Sequence, residues 1–152
     1  MHTTRRITSF SMAFALFSLL FSSVSFAEDA IYTQLFSSTA VSGYDAVAYF
    51  TEGKPVEGDS NYSTEYMGAD WNFKNGENLA KFKENPDKYA PQYGGYCAWA
   101  VAHNTTAKGD PTQWTIYEGK LYLNYNTDIQ SKWTADKVNQ ILLANKNWPG
   151  VL

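Results

Sequence analysis

The chain predicts an α+β fold, in which small antiparallel β-hairpins, or one small sheet, pack with short helices. Three observations carry this expectation. Two stretches alternate apolar and polar residues, each broken by a two-residue turn, Met67-Gly68 and Glu118-Gly119. Helical spacing follows each stretch, with capping residues before it and proline after it. Cys97 is the single cysteine, so no disulfide framework is available and packing must hold the elements together.

The first 27 residues read as a cleaved secretory signal. Arg5 and Arg6 supply the positive start, and an apolar run is densest from Met12 to Phe21. Ser25 and Ala27 put small residues at the third and first positions before a cut, and Glu28 and Asp29 follow. The run is shorter than the ~20 apolar residues of a membrane-spanning helix and is broken by Ser18, Ser22 and Ser23. Arg5-Arg6 raises twin-arginine export, but Ile7 and Thr8 do not continue that signal, which favours the general secretory route. No cysteine stands near the cut to take a lipid. The expectation is an exported protein, in the bacterial periplasm or outside the cell, with no stable membrane anchor after cleavage.

Cleavage leaves 125 residues, enough for one domain with a core. Ten Lys and Arg then face fifteen Asp and Glu, for a net charge of about −5 with His103 neutral. An acidic chain with no basic cluster argues against nucleic acid or anionic lipid as partner. Twenty aromatic residues survive cleavage, and they suit a compact aromatic core or a ring-lined groove.

Residues 28–42 form a lead-in, in which Ile31 to Phe36 is apolar enough for a short packed helix. The domain proper spans residues 43–149. Gly43-Tyr44-Asp45 opens a short apolar segment, Ala46 to Phe50, and the Gly- and Pro-bearing run Thr51 to Asn61 is a loop. In the first hairpin Tyr62, Thr64 and Tyr66 share a face, as do Trp71 and Phe73. Asn75 caps a helix over Gly76 to Asn85 that turns Leu79 and Phe82 inward, with Pro86 beyond its end. Tyr89, Pro91 and Gly94-Gly95 make an irregular link to a short helix from Tyr96 to about Ala102. In the second hairpin Trp114 pairs its face with Ile116, and Leu121 with Leu123. Thr127 and Gln130 have capping-box spacing. Ile129, Trp133, Val138, Ile141 and Leu142 then give a helical stripe, with a possible break at Thr134 to Asp136 and a stop at Pro149. No internal repeat or low-complexity tract is evident.

Together these segments resemble the exported, single-domain periplasmic form of the YHS-domain family. The resemblance rests on Gly43-Tyr44-Asp45 with Val47-Ala48-Tyr49-Phe50, on the run from Asn85 through Gly94-Gly95-Tyr96-Cys97-Ala98, and on Asp110-Pro111. It continues through Trp114-Thr115-Ile116 and Gly119 to Asn124, and ends at Asn147-Trp148-Pro149. Shorter members resemble metal-handling modules attached to copper-transporting ATPases, which implies soft-metal chemistry with copper or zinc. That chemistry uses cysteines where this chain has Ala48 and Lys74, and Ala46 stands where the exported family usually has Pro. Some exported members place selenocysteine at the position of Cys97, which implies that reactivity of the sulfur matters there.

Three functions compete. The first is a soft-metal module centred on Cys97, with His103 as second ligand and a partner protein or second copy completing the site. The second is a thiol-redox protein, in which Gly94-Gly95 sets Cys97 at a helix start that lowers its pKa. The third is a non-catalytic interaction domain in which Cys97 is a small buried apolar residue. His103 follows Cys97 by six positions, which do not share a helix face, and it lies in a loop-like run. Tyr93, Gly94, Gly95 and Tyr96 are candidates for lining a pocket around the thiol. Met67 is a possible soft ligand at a turn, while Asp45 and Asp110 suit caps or turns. No catalytic carboxylate pair, Ser-His-Asp set, phosphate loop or dinucleotide fingerprint is present to mark an enzyme.

Overall fold

A computed structural model describes residues 28–152, and the signal expected over residues 1–27 lies outside the described residues. Both hairpins form where alternation places them. Strand β1 (Asp59–Tyr66) pairs antiparallel with β2 (Ala69–Phe73), and β3 (Asp110–Tyr117) with β4 (Lys120–Asn124). They remain two separate two-stranded sheets. The turns fall at Met67-Gly68 and Glu118-Gly119, all four residues with positive φ. That twist matches the strands and explains why glycine takes the second turn position.

Among the described residues six α-helices complete the fold: α1 (Ala48–Thr51), α2 (Gly76–Glu84), α3 (Pro86–Tyr89), α4 (Ala98–Ala102), α5 (Thr127–Ala135) and α6 (Lys137–Asn147). Asn75 caps α2, its side chain accepting the Asn78 N–H at 2.9 Å. Pro86 opens α3 behind a second cap from Asn85, because proline at a first helical position loses no bond.

The order of elements repeats, contrary to the reading of the sequence. Each half starts with a left-handed run, Val41-Ser42-Gly43 in one and Tyr93-Gly94-Gly95 in the other. An isolated bridge follows, Tyr44 with Glu57 and Tyr96 with Lys108. Then come a short helix, a hairpin whose register shifts after its first pair (Asp59 with Phe73, Asp110 with Asn124), and an Asn-capped helix of nine residues. Phe82 and Trp133 take matching buried positions on those two helices. The relation shows in the sequence as Gly-Tyr-x-Ala-x-Ala, at Gly43 and again at Gly95, and as the matched residues Asp59 and Asp110, Thr64 and Thr115, Tyr66 and Tyr117, Gly68 and Gly119, and Asn75 and Asn126.

Other expectations need correction. Ile31 to Phe36 is not a helix. Six residues do not offset the cost of helix nucleation, and the segment docks through its backbone instead. Tyr32 N–H donates to the Gly94 carbonyl at 2.9 Å, and the Tyr32 ring meets Tyr96 edge-on. Gly94 is required here, since a Cβ at that position would sit 1.8 Å from the Ala30 carbonyl oxygen. Ile31 is buried while Leu35 and Phe36 face outward. Asn126 caps α5 in place of Thr127, accepting the Ile129 N–H at 2.9 Å, and Gln130 donates to the Trp114 carbonyl. The break at Asp136 is present and turns α6 about its axis, so Gln140 and Ala144 face inward while Val138 and Leu142 are exposed.

Candidate functional site

Cys97 sits just before α4 and is 1% exposed. Its N–H donates to the Ala107 carbonyl at 2.9 Å, which ties it to the strand leading into the second hairpin. Three backbone N–H groups, of Ala100, Tyr125 and Trp99, face the sulfur. The fully buried Asn124 lies against it, with Oδ1 3.8 Å from Sγ. The same Oδ1 accepts the Trp99 N–H at 3.3 Å, and Asn124 Nδ2 has no hydrogen-bond partner. A cleft of about 240 Å³ is lined by Cys97 with Trp99, Ala100, Ala107, Tyr125 and Ile129. Its walls are apolar.

Two effects oppose each other at this thiol. Burial pushes its pKa up, since a thiolate loses hydration there, and the N–H groups of Ala100, Tyr125 and Trp99 pull it down. Burial wins, so Cys97 rests as a protonated thiol. The helix start does not lower the pKa overall as expected, because α4 has only five residues and little dipole to offer.

The remaining candidates stand elsewhere. His103 ends α4 at the surface, its Nδ1 2.7 Å from the Trp99 carbonyl and its ring stacked on Trp99 at 4.3 Å. It touches the back of a cleft wall and does not line the cleft. Tyr93 and Gly94 line a different cavity of about 380 Å³, with Met67 and Trp148 among its other walls. Tyr93 donates its hydroxyl to Asn145, and Tyr96 to the Asp29 carbonyl, both at 2.8 Å. Gly95 is buried behind the thiol segment. Met67 is exposed at its turn, and Asp110 Oδ1 accepts from the Thr112 N–H and hydroxyl, as turn residues do.

Asp45 carries more than a turn. It is fully buried, and four donors converge on it. Val47 and Ala48 N–H reach Oδ1 at 2.8 and 3.2 Å, and Lys74 N–H and Asn78 Nδ2 reach Oδ2 at 2.9 and 2.7 Å. Asp45 occupies in the first half the place Cys97 occupies in the second. Val47, Ala48 and Lys74 likewise correspond to Trp99, Ala100 and Tyr125. Asn124, which the sequence reading missed, stands where the first half has Phe73. A polar residue at an inward strand position was its signal.

Fold and site together define a small α+β domain of two like halves, one centred on a buried carboxylate and the other on a buried thiol. The YHS domain model matches residues 47–93, so the chain carries a YHS domain over part of its length. That match covers most of the first half and ends before Cys97. No curated protein and no solved structure matches the chain. Among the described residues there is no group of three or more His, Cys, Asp or Glu able to hold a metal. The surroundings of Cys97 do not fit a resident metal ion either. They offer one sulfur and one amide oxygen, Asn124 Oδ1, which already takes the Trp99 N–H, set among apolar walls and backbone N–H groups. Among the described residues no helix is long and apolar enough to cross a membrane.

Proposed function

We propose that this is an exported thiol-redox protein in which Cys97 passes between a protected thiol and an oxidised sulfur. The observation that carries the reading is a fully buried thiol that hydrogen-bonds Asn124 Oδ1, lies beside the N–H groups of Trp99, Ala100 and Tyr125, and borders an apolar cleft. Such N–H groups stabilise charge that develops on the sulfur or on oxygen bound to it. The raised pKa keeps the resting thiol unreactive, which suits a sulfur that records sustained oxidant exposure and does not suit a fast catalyst. With one cysteine in the chain, oxidation ends on a single sulfur or on a partner's thiol. Export is supported by the signal pattern of residues 1–27. N-terminal sequencing of protein recovered from the cell envelope would then start at Glu28.

Soft-metal binding through Cys97 and His103 is the second reading, favoured by the cleft that Cys97 borders, where a second copy or a partner could bring further ligands. One experiment separates the two. The alkylation rate of Cys97 in the mature protein is followed against pH, with and without Cu(I) or Zn(II). The redox reading expects slow labelling at neutral pH that rises with a midpoint above that of an ordinary thiol and ignores metal. Protection by stoichiometric metal would put the metal reading first. No labelling before denaturation would leave Cys97 a structural residue.

A further inference from the structure

The two halves present one cradle with two different contents. In the first half the donors meet the two oxygens of Asp45, at 2.7 to 3.2 Å. In the second half the matching N–H groups of Trp99, Ala100 and Tyr125 face a lone sulfur. A separate observation points the same way. Asn124 is fully buried with its carboxamide against Sγ, and its Nδ2 is a donor with nothing to receive it. The second half therefore holds a like donor set but supplies it one side-chain oxygen, Asn124 Oδ1 on the Trp99 N–H, where the first half supplies two.

We infer that Cys97 is a modification site whose end state is a cysteine sulfinate, made by hydrogen peroxide and held as the first half holds the Asp45 carboxylate. This rests on the redox reading above. Two equivalents of peroxide are consumed. In the first step the sulfur attacks one peroxide oxygen, an S–O bond forms and the O–O bond breaks. The thiol proton joins the departing hydroxide as water, the sulfur loses two electrons, and the peroxide gains them. The second step repeats this on the sulfenic acid and gives sulfinic acid and a second water. Its proton goes to solvent, and one negative charge is shared by two oxygens.

Those oxygens find partners already in place. One takes the Trp99 and Ala100 N–H groups, as Asp45 Oδ1 takes those of Val47 and Ala48. The other takes the Tyr125 N–H, as Oδ2 takes that of Lys74. Asn124, released from the Trp99 N–H, turns its amide nitrogen to the sulfinate and does what Asn78 does for Asp45. The helix position of Asn78 is taken by Ile129 in the second half, so the side-chain donor comes from the strand end instead. The narrow apolar cleft admits a small neutral oxidant and disfavours a charged thiol. Without a second cysteine, no internal disulfide diverts the sulfenic acid.

The test is graded hydrogen peroxide on the folded mature protein, read by peptide mass. The expected product is the Cys97 peptide carrying two added oxygens, resistant to dithiothreitol and not advancing to three. One oxygen or a mixed disulfide that dithiothreitol reverses would overturn the sulfinate and leave the redox reading standing. Progress to three oxygens at the same dose would also overturn it. No oxidation of the folded protein, under conditions that oxidise the unfolded chain, would sink both. Cys97→Asp checks the cradle independently of the chemistry. It should melt above Cys97→Ala at neutral pH, and melting below Cys97→Ala would show that the cradle does not accept two oxygens.

Discussion

Asp45 and Cys97 stand at matching positions in two halves that share a left-handed entry, a bulged hairpin and an Asn-capped helix. The first half is complete. Its carboxylate receives four donors and joins α1, the end of β2 and α2. The second half has the same backbone donors, an amide nitrogen left over, and a cleft that Cys97 borders. Buried polar groups are satisfied unless something other than stability keeps them open. The difference teaches that like backbones can hold a fully satisfied carboxylate in one half and, in the other, a thiol beside an amide nitrogen without a partner.

The largest effect should come from breaking the complete half. Asp45→Ala removes an acceptor for four buried donors and should cost about 3–5 kcal/mol, read by denaturant unfolding. Asp45→Asn keeps one carbonyl oxygen but turns an amide N–H2 toward other donors, so it should fall between alanine and wild type. Cys97→Ala should cost far less than Asp45→Ala, because the sulfur satisfies little. Equal losses at the two positions would show that both are structural centres.

Alkaline pH should act next. Burial raises the pKa of Cys97, of Tyr49, and of Tyr96, the last to about 12, and each is charged only when deprotonated. The unfolded chain gives up these protons at lower pH than the folded chain, so their contribution is complete below the ordinary thiol and phenol values. It is lost as pH rises through them. The melting temperature should hold near neutrality and fall from roughly pH 8.5 upward, first through the thiol and then through the tyrosines. In Cys97→Ala the first part of that fall should vanish while the later part stays.

The caps test whether the likeness of the halves is energetic as well as geometric. Asn75 and Asn126 each accept one N–H, both at 2.9 Å. Asn75→Ala and Asn126→Ala should each cost about 1 kcal/mol. A large inequality would mean that one helix depends on its cap and the other on packing of Phe82 or Trp133.

Legibility in the sequence follows the range of the interactions. Turns and caps act over three or four residues, so Met67-Gly68, Glu118-Gly119 and Asn75 announced their elements from composition alone. The cap at Asn126 was misread because Thr127 offered a competing capping pattern one residue later. Val138 and Leu142 followed the expected stripe only if α5 and α6 were one helix, and the break at Asp136 sends them outward. The pairing of Asp45 with Cys97 was missed although both take the third position of Gly-Tyr-x-Ala-x-Ala, because the motif is short and a carboxyl and a thiol share no chemistry that would prompt the alignment. Cys97 itself stood out by being single, but the buried Asn124 beside it, with its Nδ2 unpartnered, exists only once the strand closes over it.

The smallest expected effect bears on the residue that sequence placed beside the thiol. His103 stacks on Trp99 and its Nδ1–H donates to the Trp99 carbonyl, and it does not line the cleft that Trp99 forms with Ala100, Tyr125 and Ile129. An exposed stacking contact of this kind is worth about 0.5 kcal/mol or less. His103→Ala should therefore leave the fold, the alkylation profile of Cys97 and its peroxide product unchanged. A marked change in alkylation would mean that the imidazole reaches the sulfur in solution. The two halves would then differ in having a base as well as a thiol, and the metal reading would gain the second ligand that the cleft does not supply.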